Sequence, residues 1–146
     1  VFQIIQCKEL IPEMVGMLQK EMAERIIAPP GSSTYGIISV LTQAWYIGTR
    51  VIDVPPSAFT PPPKVNSLVI KLTRRTDDNG IHDPKAFIRV VKQSFGMRRK
   101  MLRNNLKALF IDQSLLEGEF FNKRAEQLSL EDYVNLTNLY LSQKEQ

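Results

Sequence analysis

The spacing of apolar and polar positions in the first half of the chain changes from one short segment to the next. Continuous apolar runs indicate buried strands, and apolar residues three or four positions apart indicate helices. The predicted elements are, in chain order, a helix over residues 1–11, a strand over 14–18, helices over 19–25 and 37–46, and strands over 47–54 and 65–73. The unbroken apolar run from Met14 to Leu18 predicts a strand buried on both faces. Strands that alternate with helices in this way indicate an α/β fold.

A polar stretch separates this first half from a helical second half. Residues 74–82 are mostly polar and contain a glycine, which is typical of a junction between domains. We therefore predict an α/β part over residues 1–76 and an all-helical part over residues 77–146. Helices are predicted over 84–95 and 97–110, and a last helix begins at the capping-box pattern Ser129–Asp132.

Proline dominates the segment between the last two predicted strands. Five of the nine prolines lie between residues 55 and 63, around the single aromatic residue Phe59. Proline fixes φ and lacks an N–H, so this segment can neither continue a helix nor lie inside a sheet. It is predicted to be a rigid surface loop between two strands that pair as a long hairpin. The Phe59 ring then either fills a gap at the edge of the core or offers a ligand a surface for stacking.

Composition restricts the class of protein. With 146 residues and 43% apolar residues, the chain can build a sizeable core. The single cysteine excludes an internal disulfide framework and suits a reducing compartment, and with one histidine it predicts no metal site. No apolar run approaches the roughly 20 residues that a membrane helix needs. These features predict a cytoplasmic protein with no membrane partner.

Positive charge is concentrated in one part of the chain. Between residues 85 and 107 there are eight basic residues and no acidic one. On a helix over 97–110, the leucines would form one arc, and an adjoining arc would carry Arg99, Lys100, Arg103 and Lys107. Such a cationic ridge is typical of a surface that binds a polyanion, although charge clusters of this size also occur as plain solvated faces.

Four segments of the chain together resemble one family of enzymes. They are residues 17–25 (MLQKEMAER), 35–41 (YGIISVL), 54–67 (VPPSAFTPPPKVNS) and 95–105 (FGMRRKMLRNN), with a weaker fifth block at 123–132 (KRAEQLSLED). In this order they resemble the bacterial small-subunit (16S) rRNA adenine N6,N6-dimethyltransferases, the kasugamycin-sensitivity family. The resemblance implies the last strands of a Rossmann-like class I methyltransferase sheet, followed by a small helical domain that binds rRNA.

The same resemblance implies that part of the family's machinery is absent. The family binds S-adenosylmethionine through a glycine-rich turn and an acidic residue, and it holds the target amine with an Asn-Leu/Ile-Pro-Tyr/Phe loop. None of these patterns occurs in the sequence. We therefore expect a carboxy-terminal portion of such an enzyme, inactive by itself, with no cofactor-binding residue and no certain catalytic residue of its own.

Site residues follow from the resemblance by position. It implies that Phe59 stacks on an extruded target adenine, and that neighbouring loop residues support it: Pro61, Pro62, Pro63, Lys64 and Asn66. It also implies that the phosphates of 16S rRNA in the immature small subunit are bound by Arg98, Arg99, Lys100, Arg103 and Lys107. For Lys64, a role as ordinary solvated surface stays an equal alternative.

Two other functions remain open at this point. One is an RNA-binding or ribosome-assembly module without catalysis, and the other is a related branch, such as a resistance-type 23S rRNA adenine methyltransferase. The unpaired edge of the strand at 14–18 also predicts self-association, because an exposed strand edge can pair with another chain.

Overall fold

The structure is a computed structural model that describes residues 1–144. Its helices are α1 Phe2–Gln6, α2 Lys20–Ile26, α3 Ile37–Trp45, α4 Pro84–Ser94, α5 Leu102–Leu106 and α6 Leu130–Lys144. Its strands are β1 Glu13–Gln19, β2 Tyr46–Val54 and β3 Ser67–Arg74, and short 3-10 turns occupy Pro56–Ala58, Gln113–Leu116, Glu119–Asn122 and Ala125–Gln127. The α/β architecture is confirmed, although α1 is shorter than the helix predicted over residues 1–11.

The three strands form one antiparallel sheet in the order β1-β3-β2. β2 and β3 pair as the predicted hairpin, with the register shifting between Arg50 and Ile52. Leu68, Ile70 and Leu72 of β3 are fully buried, as their alternation predicts. The end of α2 lies close to this face, because a Cβ at Gly48 would meet the Ile27 side chain at 2.6 Å.

β1 is not buried on both faces, so that prediction is wrong. Its residues alternate between half-buried and exposed, and the side chains of Val15 and Met17 are 59% and 48% exposed. α2 and α3 pack on the face that carries Leu68, and no helix of residues 1–144 covers the other face. An unbroken apolar run therefore marks a strand without showing how many faces are covered.

The helical half contains the capped helices that the sequence predicts. Asp83 caps α4 by accepting a hydrogen bond from the Ala86 N–H at 3.1 Å. Ser129 and Asp132 form a reciprocal capping box at the start of α6, with distances of 3.0 and 3.1 Å. Both caps satisfy N–H groups that the first helical turn leaves without partners.

The core is continuous across the predicted domain boundary. Trp45 of α3 meets Phe87 of α4 edge to face, with 5.7 Å between ring centroids. Tyr35 likewise meets Phe95, which stacks on Tyr133 of α6 at 6.1 Å. The buried residues of both halves belong to one cluster. The division into parts 1–76 and 77–146 stays a prediction.

Two buried tyrosines connect this core to the backbone of the helical half. The Tyr35 hydroxyl donates to the Leu128 carbonyl at 2.8 Å, and the Tyr133 hydroxyl donates to the Ala125 carbonyl at 2.7 Å. Burial raises the pKa of both phenols well above the usual value, and the Asp132 carboxylate adds to each rise. Both groups therefore stay neutral hydrogen-bond donors.

The helix predicted over residues 97–110 is wrong in extent. Only residues 102–106 are helical, and residues 96–100 form turns. The side chain of Asn105, only 7% exposed, holds the preceding segment in place through the Met97 N–H and the carbonyls of Ser94 and Met97. Met101 is extended and forms a β-bridge with Arg124. These contacts replace the helical hydrogen bonds that periodicity alone predicts.

No helix within residues 1–144 is both long and apolar enough to cross a membrane. In the same part of the chain, no cluster of three or more histidine, cysteine or acidic side chains is placed to hold a metal ion. The single cysteine, Cys7, is exposed.

Candidate nucleic-acid interface

The proline loop presents Phe59 outside the core. The 3-10 turn Pro56–Ala58 precedes it, and the Phe59 N–H donates to the Pro56 carbonyl at 3.1 Å. The ring is half-buried and does not belong to the cluster of core side chains, while residues 60–66 around it are exposed. No ring contact to Phe59 exists among residues 1–144. The fixed backbone therefore presents an aromatic surface at low conformational cost.

Both ends of the proline loop are attached to neighbouring elements. At its carboxyl end, the Asn66 carbonyl accepts a hydrogen bond from the N–H of Lys20, the first residue of α2, at 2.9 Å. At its amino end, the Asp53 carboxylate lies 3.3 Å from the Lys20 ammonium and 3.5 Å from the Arg50 guanidinium. These ion pairs are exposed, so each contributes at most about 1 kcal/mol. Together they join β2, α2 and the start of β3 at one edge of the loop.

An open cleft lies beside these attachments. It has a volume of about 460 Å³, and Lys20, Glu24, Lys64 and Asn66 are among the residues that line it. Lys64 and Asn66 therefore lie together at this cleft, and both are exposed; their predicted role in supporting Phe59 stays a prediction. Pro61, Pro62 and Pro63 are also exposed, and the peptide bond between Thr60 and Pro61 is cis.

The predicted cationic ridge is not a single helical face. Arg98, Arg99 and Lys100 lie in the turn before Met101, Arg103 lies in α5, and Lys107 follows that helix. We call residues 97–100 the cationic turn. Its position is fixed by Asn105, because that side chain binds both backbone groups of Met97.

Two of the five predicted RNA-binding cations are used inside the protein. The Arg98 guanidinium donates to the carbonyls of Ser33 and Tyr35 at 3.0 and 2.7 Å. Arg103 donates to the carbonyls of Leu116 and Gly118 at 3.1 and 2.9 Å. Their charge remains, but these donors hold loops together.

The remaining cations are exposed. Within residues 1–144, no ion pair, hydrogen bond or ring contact engages the side chains of Arg99, Lys100 or Lys107. The structure also brings Lys123 and Arg124 to this surface, because the Leu102 N–H donates to the Lys123 carbonyl at 2.8 Å and Met101 pairs with Arg124. Both side chains are exposed. In the sequence these two residues belong only to the weaker resemblance block at 123–132, which assigns them no role.

Residues 1–142 match the model of the family described as "Ribosomal RNA adenine dimethylase". The chain belongs to this family. The family predicted from the sequence is therefore confirmed.

Curated relatives of this family member share about half of its residues. It is similar to "Ribosomal RNA small subunit methyltransferase A" of Bacteroides fragilis, with 50% identity over 138 residues, 94% of this chain and 51% of the relative. The protein of the same name from Cytophaga hutchinsonii is 48% identical over 139 residues, 95% of this chain and 54% of the relative. The chain thus spans about half the length of the curated relatives it matches.

Solved structures support the same fold. The crystal structure of a dimethyladenosine transferase from Plasmodium falciparum aligns with a TM-score of 0.82 and 26% identity, covering 99% of this family member and 61% of that chain. The crystal structure of the 23S rRNA methyltransferase ErmE aligns with a TM-score of 0.63 and 17% identity, covering 89% and 55%. The second likeness shows the fold alone.

Proposed function

We propose that this chain is the carboxy-terminal portion of an S-adenosylmethionine-dependent rRNA adenine N6,N6-dimethyltransferase that acts on the 16S rRNA of the immature small ribosomal subunit. In this proposal β1, β2 and β3 are the last strands of a Rossmann-like sheet, and residues 77–146 form a helical rRNA-binding domain. Family membership and the names of the curated relatives support this reading.

The observation that carries the proposal is the placement of Phe59. A base that must be methylated on its exocyclic amine has to leave its stack, and an aromatic ring outside the core can hold it by stacking. Phe59 lies on a backbone fixed by prolines and outside the core cluster. We therefore assign Phe59 to one side of the adenine, with Pro61, Pro62, Pro63, Lys64 and Asn66 supporting it.

The exposed cations supply the second part of the function. Side chains without internal partners are free to neutralise phosphates, so we assign this role to Arg99, Lys100 and Lys107 and extend it to Lys123 and Arg124. Arg98 and Arg103 contribute charge and hold the surface in shape. Phosphate contacts position the RNA without reading its sequence.

The described residues do not fit the methyl donor. A nucleotide-like cofactor needs close backbone approach at a glycine-rich turn after a strand. β1 instead runs directly into α2, β2 leads into the proline loop, and β3 leads into the polar segment 75–82. We therefore propose that S-adenosylmethionine binds to residues outside 1–144, and we expect no methyl transfer by this chain alone.

A methylation assay in the whole enzyme that carries this sequence tests the proposal. Phe59→Ala is expected to lower methyl transfer to immature small subunits about 5- to 150-fold, since stacking on a base contributes roughly 1–3 kcal/mol. Phe59→Trp keeps an aromatic surface and should retain most of the activity. A folded Phe59→Ala enzyme with less than about threefold loss would refute the stacking role.

RNA binding by the 146-residue chain tests the second part. The logarithm of the affinity for small-subunit rRNA should fall linearly with the logarithm of salt concentration. Lys100→Ala should weaken binding to all RNA sequences alike and reduce that slope by somewhat under one unit. A change in sequence preference with an intact slope would contradict a phosphate contact.

The two alternatives make different predictions. If the whole protein that carries this sequence is a non-catalytic RNA-binding module, it binds rRNA and transfers no methyl group. For a 23S rRNA enzyme, the present support is a likeness of fold at 17% identity, whereas relatives named for the small subunit reach 50%. The small-subunit substrate is therefore the stronger proposal.

A further inference from the structure

A cleft in the helical half has no part in the function proposed above. It opens between the 3-10 turn Glu119–Asn122 and α6, with a volume of about 440 Å³. The residues that line it are Phe120, Phe121, Asp132, Asn135, Leu136 and Leu139. Its volume falls within the roughly 300–1,000 Å³ typical of small-ligand sites, and apolar walls with a few polar groups are the usual composition of such sites.

Aromatic rings form one wall of the cleft. Phe120 is half-buried and meets the buried Phe121 edge to face, with 5.1 Å between centroids and 90° between ring planes. The Lys123 ammonium lies 5.4 Å from the centre of the Phe120 ring. Phe120 is thus held between a buried ring and a cation, and its remaining surface is available to the cleft.

Two polar residues of the cleft lining, Asp132 and Asn135, suit the edge of a nucleobase. Asp132 uses Oδ2 to accept the Ser129 N–H, while no hydrogen bond within residues 1–144 engages its Oδ1. The Asn135 side chain is exposed and has no hydrogen-bond partner in the described part of the chain. A carboxylate oxygen accepts from an exocyclic amino group, and an amide can both donate and accept.

The cleft lies next to one of the exposed cations, because the Lys123 ammonium lies over the ring of Phe120. The Lys123 N–H donates to the Phe120 carbonyl at 3.2 Å, and the Lys123 carbonyl accepts from Leu102 beside the cationic turn. In one nucleotide only a ribose separates the base from the phosphate. An RNA strand whose phosphates lie on Lys123 and Arg124 would therefore bring a base to Phe120.

We propose that this cleft binds one unpaired RNA nucleobase that carries an exocyclic amino group. The base packs against Phe120, its amino group donates to Asp132, and Asn135 pairs with the neighbouring ring position. The charge of the adjoining cations favours this occupant over an apolar side chain of a protein partner, because phosphates and base then reach complementary groups together. The inference rests on the RNA-binding part of the proposed function.

A matched pair of variants and a matched pair of ligands test the proposal. Asn135 and Asn138 are exposed residues of the same type on α6, and only Asn135 lines the cleft. Affinities of the 146-residue chain are measured for oligocytidylate and oligouridylate, whose bases differ at the amino position. Uracil would present a carbonyl oxygen to the Asp132 carboxylate, so oligouridylate should bind through its phosphates without entering the cleft. Asn135→Ala should therefore weaken oligocytidylate binding roughly three- to tenfold and leave oligouridylate binding and the salt slope unchanged. Asn138→Ala should change neither affinity.

Several results would overturn the inference. Equal effects of Asn135→Ala and Asn138→Ala, or equal affinity of the unaltered chain for both oligomers, would show that no amino-bearing base enters the cleft. If Asn135→Ala lowered both affinities alike, the residue would not read the base edge. If the chain binds small-subunit rRNA with a normal salt slope but Asn135→Ala changes neither oligomer affinity, only this inference is rejected. If the chain binds no RNA at all, the RNA-binding function is rejected as well.

Discussion

Replacement of Asn105 by alanine tests whether one buried amide holds the cationic turn. The side chain donates to the carbonyls of Ser94 and Met97, both at 3.0 Å, and accepts from the Met97 N–H at 3.1 Å. Asn105→Ala removes all three hydrogen bonds and leaves the backbone groups to find new partners. Residues 96–100 then lose the contacts that replace a helix.

The magnitude follows from these contacts. Each hydrogen bond contributes a net ~1 kcal/mol, and a buried group left without a partner costs about 1–3 kcal/mol. Because Met97 is exposed, water can satisfy part of what is lost. We therefore expect a loss of about 2–4 kcal/mol in the free energy of unfolding. With an m-value of about 2 kcal/mol per molar urea, the unfolding midpoint falls by about 1–2 M.

Urea unfolding of Asn105→Ala and of a control variant, Asn104→Ala, followed by circular dichroism, measures this loss. Asn104→Ala is the matched control, because the adjacent Asn104 is exposed and its side chain takes part in no hydrogen bond within residues 1–144. Its free energy of unfolding should stay within about 0.5 kcal/mol of that of the unaltered chain. Asn105→Ala should also weaken rRNA binding, although Asn105 itself is buried. A midpoint shift no larger than that of Asn104→Ala would refute the assigned role.

Two further predictions concern the arginine pair and the buried phenols. Arg98→Ala should lower the free energy of unfolding by about 1–2 kcal/mol because two hydrogen bonds to carbonyls are lost. Arg99→Ala should leave stability unchanged and weaken rRNA binding. The reverse pattern in urea unfolding and RNA-binding titrations would contradict the assignment. Burial raises the pKa of Tyr35 and Tyr133, so above about pH 10 the unfolded chain releases these protons while the folded chain retains them. The free energy of unfolding should therefore be unaffected below that pH and decline above it. The decline should reach up to about 1.4 kcal/mol per pH unit for each phenol. Tyr35→Phe should make that alkaline decline shallower, and an unchanged slope in thermal melts would contradict it.

Local patterns predicted much of the fold. The alternation of Leu68, Ile70 and Leu72 predicted the buried face of β3, and proline chemistry predicted the exposed loop between β2 and β3. Asp83 before Pro84 predicted the start of α4. In each case the cause lies within a few residues of its effect, so a single sequence contains the information.

The errors involve partners that are distant along the chain. The residues at 97–101 have a helical apolar pattern, but Met101 pairs with Arg124 and Asn105 binds back to Ser94. β1 has an apolar run, but only one face of the sheet receives helices from the described residues. Periodicity records neither kind of contact.

The sequence predicted which types of residue form the candidate site, but not which of them face solvent and which bind other parts of the protein. Charge counting found Arg98 and Arg99 together, and only the structure separates them, because the first reaches the carbonyls of Ser33 and Tyr35. Lys123 joins the same surface through a backbone hydrogen bond that no spacing rule predicts.

The bridge between Met101 and Arg124 has a consequence for how RNA and protein stabilise each other. Two stretches of backbone far apart in the chain must meet before the exposed cations proposed to bind phosphates are assembled, so an unfolded chain offers scattered charges. Saturating RNA should therefore raise the melting temperature by mass action and slow proteolytic cleavage between residues 107 and 122. Ribosomal RNA would in that sense act as a ligand that selects the native conformation of the protein that binds it.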